Sequence, residues 1–184
     1  MGKLSKKADP SLFLFPPDTV EGGDRSLKEV RAVTMRGAER GTICPCCGQF
    51  VKLYKRKLNS AMAHALIRIH KHFRRNPDLN WLHVPDFLRD HKIARADEAK
   101  LVLWGLLQGS GEMREDGSKR SGFYKLTDLG QRFVMREERV PKYVYIYNQT
   151  VYGFSDGSHW PRELTDVGDA LGDHFNYAEL MKDV

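Results

Sequence analysis

Apolar and polar residues alternate along this chain with two different periods, and the switches between them mark the elements. From Asn59 to Phe73 the residues Met62, Leu66, Ile69 and Phe73 recur at helical spacing. That pattern predicts a helix with one buried face, capped by Asn59 or Ser60 and closed by Asn76-Pro77. A second helix is predicted over His83–His91, with Pro85 in its first turn and Phe87 and Leu88 facing inward. A third is predicted over Ala96–Leu107, carrying Leu101, Leu103, Trp104 and Leu107. Asp24 to Gly37 reads as a short helix capped by Asp24, with Leu27, Val30 and Val33 or Thr34 on one side. Thr42 to Tyr54 reads as a turn between two short strands.

Beyond the third helix the period shortens. Gly111–Glu115 and Ser121–Thr127 flank Asp116-Gly117, a dipeptide suited to a tight hairpin turn because glycine tolerates positive φ. Thr127 or Asp128 is placed to cap a following helix with Leu129, Phe133 and Val134, and Arg132 to Glu138 continues it. Tyr143–Tyr147 and Thr150–Phe154, joined at Asn148-Gln149, predict a second hairpin rich in tyrosine. The tail from Asp166 through Ala170, Leu171, Phe175 and Leu180 reads as helical with an acidic outer face, broken at Gly172.

The segment Leu107…Tyr124-Lys-Leu126-Thr127-Asp-Leu-Gly130 resembles the wing of winged-helix regulators of the MarR and PadR kind. The resemblance spans roughly residues 59 to 136. It implies three helices followed by a wing, with Ala96–Leu107 as the reading helix and Arg114, Lys119 and Arg120 on the wing against phosphates. Winged helices also dock proteins, so the fold alone does not assign the role.

Charge sharpens the picture. The net charge is +6, but it is unevenly spread. Residues 52 to 75 hold eight Lys or Arg (52, 55, 56, 57, 68, 71, 74 and 75) and no acid. Residues 155 to 184 hold seven acids (156, 163, 166, 169, 173, 179 and 183) against Arg162 and Lys182. A basic block of this kind draws polyanions, with release of their counterions; its plainer reading is a solvated helix face. Lys52, Lys55, Arg56 and Lys57 are the candidate phosphate contacts in the block, and Arg95 and Lys100 are those facing the groove. Asp97 and Glu98 near the start of the expected reading helix oppose strong sequence-specific recognition.

The three cysteines lie together at 44, 46 and 47, an odd number that argues against a disulfide framework. Cys44-Pro45-Cys46-Cys47-Gly48 contains Cys-Pro-x-Cys-Gly and resembles a zinc-ribbon knuckle. Thiolates at Cys44 and Cys47 grip one face of a tetrahedral ion while the glycine lets the turn close beneath them. Two further ligands are needed; His72, Cys46 or a second chain are the candidates, and a metal-free turn is the alternative. His70, His72, Asn80 and His83 superficially suggest a His-Asn-His nuclease, but the first two fall on one expected helix. No phosphate-binding Gly-Lys loop or nucleophile elbow is present.

The chain is therefore read as an α+β protein in four stretches. Residues 1–23 are a flexible arm, 24–58 a helix and zinc-knuckle-like hairpin, 59–138 a winged-helix domain, and 139–184 a β-hairpin plus acidic C-terminal helix. No apolar run approaches the about 20 residues of a membrane helix, and the apolar piece Leu12 to Phe15 is too short for a signal peptide. The expected setting is cytoplasmic. The expected function is non-catalytic binding of DNA, with RNA as an alternative ligand and structural zinc as the cofactor. The competing reading is an adaptor that docks a protein partner, or a second copy of itself, through the tyrosine hairpin and the Phe-containing arm.

Overall fold

The computed structural model describes residues 25–93, 97–111 and 122–182. The expected arm, the Asp116-Gly117 turn, and the candidate residues Arg95, Arg114, Lys119 and Arg120 lie outside the described residues. The protein is mixed α and β, with short helices and small antiparallel sheets. It divides into two compact units, with the boundary in sequence between Tyr54 and Lys55.

In the first unit, α1 spans Leu27–Gly37. Its cap is Ser26 rather than Asp24: Glu29 N–H donates to the Ser26 hydroxyl, and the Glu29 carboxylate accepts from Ser26 N–H at 2.8 Å. This reciprocal box satisfies two orphan donors of the first turn and starts the helix at Leu27. Val30 and Thr34 are buried as expected, but Leu27 is 74% exposed. Then β1 (Thr42–Ile43) pairs antiparallel with β2 (Phe50–Val51), Thr42 opposite Val51 and Ile43 opposite Phe50.

β3 (Tyr54–Lys57) leads into the second unit, where α2 (Ser60–Arg75) is the central element. The Asn59 side chain accepts from Met62 N–H at 2.9 Å and fixes its start. The sequence predicts one buried stripe. In the structure Met62, Ala63, Ala65, Leu66, Ile67, Ile69 and His70 are all 2% exposed or less. The reason is coverage on several sides, by the short helices of the C-terminal half and by the strand Phe123–Leu126. Lys71 is buried too, its ammonium donating to the carbonyls of Leu180 and Lys182. That part of the basic block is a structural anchor, not a solvated face.

β4 (Leu82–His83) and α3 (Val84–Asp90) follow, with Val84, Phe87 and Leu88 buried. The third expected helix is corrected. It is a 3-10 helix over Glu98–Trp104, shorter than Ala96–Leu107. Asp97 at φ 53° and Gly105 at φ 69° are both left-handed and bound it at either end. A turn of three residues stacks Leu101 and Trp104 on one edge, and both are buried. The Trp104 indole donates to the Pro141 carbonyl at 2.7 Å, which holds that edge in place.

β5 (Leu107–Gly109) pairs with β6 (Phe123–Leu126), so strand pairing begins before the expected Gly111. β6 also pairs with β4, giving the order β4-β6-β5. Thr127 caps α4 (Asp128–Val134), its hydroxyl accepting from Gly130 N–H at 2.9 Å. The same hydroxyl lies 2.6 Å from the Gly105 carbonyl and donates to it. α4 ends at Val134 rather than Glu138, because Arg136 takes a left-handed φ of 64° and turns the chain into β7 (Val140–Pro141).

The tyrosine hairpin forms as β8 (Tyr143–Tyr147) and β9 (Thr150–Phe154). Asn148 and Gln149 both take positive φ, as a tight two-residue hairpin turn demands. β3, β8 and β9 make one sheet, and β10 (Leu164–Thr165) pairs with β7. The acidic tail is α5 (Val167–Leu171), a 3-10 turn starting at Gly172, and α6 (Tyr177–Leu180). Among the described residues no helix is long and apolar enough to cross a membrane.

Candidate nucleic-acid interface

Strand β3 carries Lys55, Arg56 and Lys57, and all three are exposed. They are held extended because β3 pairs with β8, on which Val144 is fully buried, Tyr145 is buried on the opposite face, and Tyr143 and Tyr147 are partly exposed. The Lys55 ammonium sits 3.8 Å from the centre of the Tyr143 ring and 3.5 Å from the Glu163 carboxylate. Burial tends to lower its pKa, but Tyr145, Glu163 and Tyr143 together hold it above the ordinary lysine value. It is a fixed positive charge at neutral pH.

The other candidate cations are placed differently. Lys52 is half-buried in the first unit. Lys100 is ion-paired with Asp97 at 2.5 Å. With Gln108 it lines an open groove of about 810 Å³, whose walls include Leu103, Tyr124, Ile146 and Gln149. Asp97 and Glu98 therefore temper the charge at the start of the 3-10 helix, as their positions in the sequence suggest.

The Cys-Pro-x-Cys-Gly turn sits at the tip of the β1–β2 hairpin. Cys44 N–H donates to the Gln49 carbonyl and Gly48 N–H to the Cys44 carbonyl, both at 2.8 Å, and Gly48 takes φ +69°. The backbone N–H groups of Cys46 and Cys47 point at the Cys44 sulfur, the first being the larger effect. They hold its thiol below the ordinary pKa, against the opposing effect of burial. A thiolate supported by two amides suits a soft cation. Among the described residues no group of three or more His, Cys, Asp or Glu side chains is assembled to hold a metal. Cys44 and Cys47 are two thiols without further ligands assembled beside them among the described residues, and the first unit contains no histidine.

The histidines that suggest a nuclease occupy unlike environments. His70 is 1% exposed, and neither ring nitrogen has a hydrogen-bond partner. His72 packs on Phe87, with ring centres 4.8 Å apart. His83 Nδ1 lies 2.7 Å from the Asp86 carboxylate. Burial first, and then neighbouring cations, push the pKa values of His64, His70 and His72 below 6.5.

Two contributors were not singled out from the sequence. Trp160 stacks on Tyr145, with ring centres 3.9 Å apart and planes 10° from parallel. Lys142 lies 5.7 Å from the Tyr143 ring. The alternation of Tyr143, Tyr145 and Tyr147 signals an aromatic face, but no local pattern brings Trp160 onto it. Compared with protein-family models, curated proteins and solved structures, the chain matches none.

Proposed function

We propose that this chain is a non-catalytic nucleic-acid-binding protein with a regulatory or accessory role, and that DNA is its ligand. The observation that carries the reading is strand β3, where three consecutive cations are exposed on the edge of the β3-β8-β9 sheet. Lys55 and Lys57, two positions apart on an extended strand, share one face and can meet neighbouring phosphates, while Arg56 adds positive charge on the other.

A second observation supports a winged-helix reading of residues 59–138. The order α2, β4, α3, 3-10 helix, β5, β6, with a β4-β6-β5 sheet, is the order such a domain requires. In this reading the 3-10 helix takes the place of the reading helix, and the link between β5 and β6 takes that of the wing. The short, acid-flanked 3-10 helix suits binding with little sequence preference. Zinc on Cys44 and Cys47, completed by ligands from another chain, would stiffen the β1–β2 hairpin. The free thiols suit a reducing, cytoplasmic setting.

The test is fluorescence anisotropy with labelled DNA and RNA at several salt concentrations, for the native chain and for the combined reversal Lys55→Glu, Arg56→Glu and Lys57→Glu. The reading expects salt-sensitive binding that the reversal weakens across all sequences. The adaptor reading is favoured by one feature, the 45% exposure of Tyr152 on the tyrosine hairpin. Absence of nucleic-acid binding at low salt would put that reading first.

A further inference from the structure

The face of the β3-β8-β9 sheet built from Tyr143, Tyr145, Tyr147, Tyr152 and Trp160 has a geometry that simple phosphate binding does not need. On β8, Val144 is fully buried, so the strand's alternation places the three tyrosines on the opposite side. Tyr145 is paired with Gly153 across the hairpin. A Cβ at Gly153 would lie 2.3 Å from the Trp160 ring. Glycine there lets the indole lie flat against the sheet and stack on Tyr145.

The hairpin register also shifts at one point. Tyr145 opposes Gly153, whereas Ile146 opposes Val151, which leaves Tyr152 as the extra residue. A bulge of this sort re-aims a side chain. Tyr152 is 45% exposed and meets Tyr147 edge-on, with ring centres 6.1 Å apart at 70°. Cations border the same face: Lys55 lies over Tyr143 at 3.8 Å, and Lys142 is 5.7 Å from that ring. Of the nearby carboxylates, Glu163 is engaged by Lys55, and Asp156 is turned onto Ser158, accepting from its N–H and its hydroxyl.

Resting on the nucleic-acid reading above, we infer that this aromatic sheet face is a stacking platform for single-stranded nucleic acid. Base faces are hidden inside a duplex, where each base already stacks on its neighbours. Only an unpaired strand can offer them to Tyr152 and Trp160 while its phosphates reach Lys55 and Lys142. Aromatic rings interleaved with cations fit a ligand that offers a flat ring and an anion at every repeat, as an unpaired nucleic-acid strand does. Stacking is tolerant of sequence because every base has a π face. That agrees with a 3-10 helix poorly equipped to read bases.

The test compares an oligothymidylate of about 16 nucleotides with a mixed-sequence duplex, by anisotropy on the full chain. Tyr152→Ala and Trp160→Ala are each expected to weaken single-strand binding about 5- to 100-fold. Duplex affinity should change by no more than about twofold, and Tyr152→Phe should retain single-strand binding because the ring remains. Tyr152 is exposed, so its variant keeps the test valid where Trp160→Ala disturbs the hairpin. Unchanged single-strand affinity in Tyr152→Ala overturns the inference. If the triple charge reversal still weakens duplex binding, the broader reading survives that loss. Absence of binding to either probe by the native chain overturns both. Loss of a copurifying protein in Tyr152→Ala, with single-strand affinity unchanged, assigns the face to a protein partner instead.

Discussion

Replacing Gly130 by alanine should destabilise the protein, although helix propensity alone argues the opposite. Gly130 lies in the first turn of α4, where alanine is favoured over glycine by up to about 1 kcal/mol. A Cβ built there lies 2.2 Å from the Leu106 carbonyl oxygen, 2.9 Å from Leu126 Cδ1 and 3.1 Å from the Leu106 carbonyl carbon. The carbonyl cannot simply rotate away, since it accepts from Thr127 N–H at 3.3 Å and lies 3.1 Å from the Thr127 hydroxyl. Relief therefore needs α4 and the start of β5 to separate by about 1 Å, in a core with no slack. Leu106, Leu107, Phe133 and Val134 there are 1% exposed or less. Overpacking of this kind costs about 1–3 kcal/mol, which exceeds the propensity gain over most of its range. Urea denaturation followed by tryptophan fluorescence would show a midpoint lowered by about 0.5–1 M at unchanged slope. An unchanged or higher midpoint would refute the reasoning, because it would mean that the Thr127–Gly130 turn does not press on Leu106.

Other expectations follow from the same contacts. Lys71→Met removes the ammonium that holds the Leu180 and Lys182 carbonyls; amides of α6 should exchange faster, with a global loss of about 1–3 kcal/mol by denaturation. His64, His70 and His72 are held below 6.5 by burial first. A depressed histidine contributes stability that is full above its unfolded value and is lost as pH falls through the folded one. The urea midpoint should therefore drop below about pH 6.5, and His70→Leu should flatten that drop; a midpoint independent of pH there contradicts the assignment. Zinc retained by the purified chain should fall to background in Cys44→Ser and in Cys47→Ser, as measured by atomic absorption. In metal-free protein Cys44 should be alkylated at a lower pH than an ordinary thiol, because amides of Cys46 and Cys47 stabilise its thiolate.

Elements whose signals are local could be read from the sequence. Asn59 caps α2 and Thr127 caps α4 through hydrogen bonds to residues three positions on, and such caps are visible as residue types. The two-residue turn at Asn148-Gln149 is of the same kind. What escaped depends on contacts distant in sequence. The third helix tightens to a 3-10 form, bounded by left-handed residues at Asp97 and Gly105 and anchored by Trp104 on Pro141, 37 residues away. The burial of Lys71 depends on carbonyls more than 100 residues further on. Its side chain looks like any other member of a basic run.

The candidate surface was legible in the same partial way. Lys55, Arg56 and Lys57 stand out as a charge run, and Tyr143, Tyr145 and Tyr147 as an alternating strand. Their meeting in one sheet follows from β3 pairing with β8 across some 90 residues, and no spacing in the sequence announces it. Trp160 reaches Tyr145 only because Gly153 leaves room. Of the proposed zinc site, the sequence offers only the Cys44–Gly48 motif, and no cluster among the described residues supplies further ligands.

The most direct test of the central claim is the salt dependence of DNA affinity for the native chain and the Lys55, Arg56 and Lys57 reversal. Each phosphate contact contributes about −0.9 to the slope of log affinity against log salt on duplex DNA. The account predicts a clearly negative slope for the native chain, made shallower by about 2–3 in the reversed variant. Binding that ignores salt, or equal slopes for the two proteins, would contradict it.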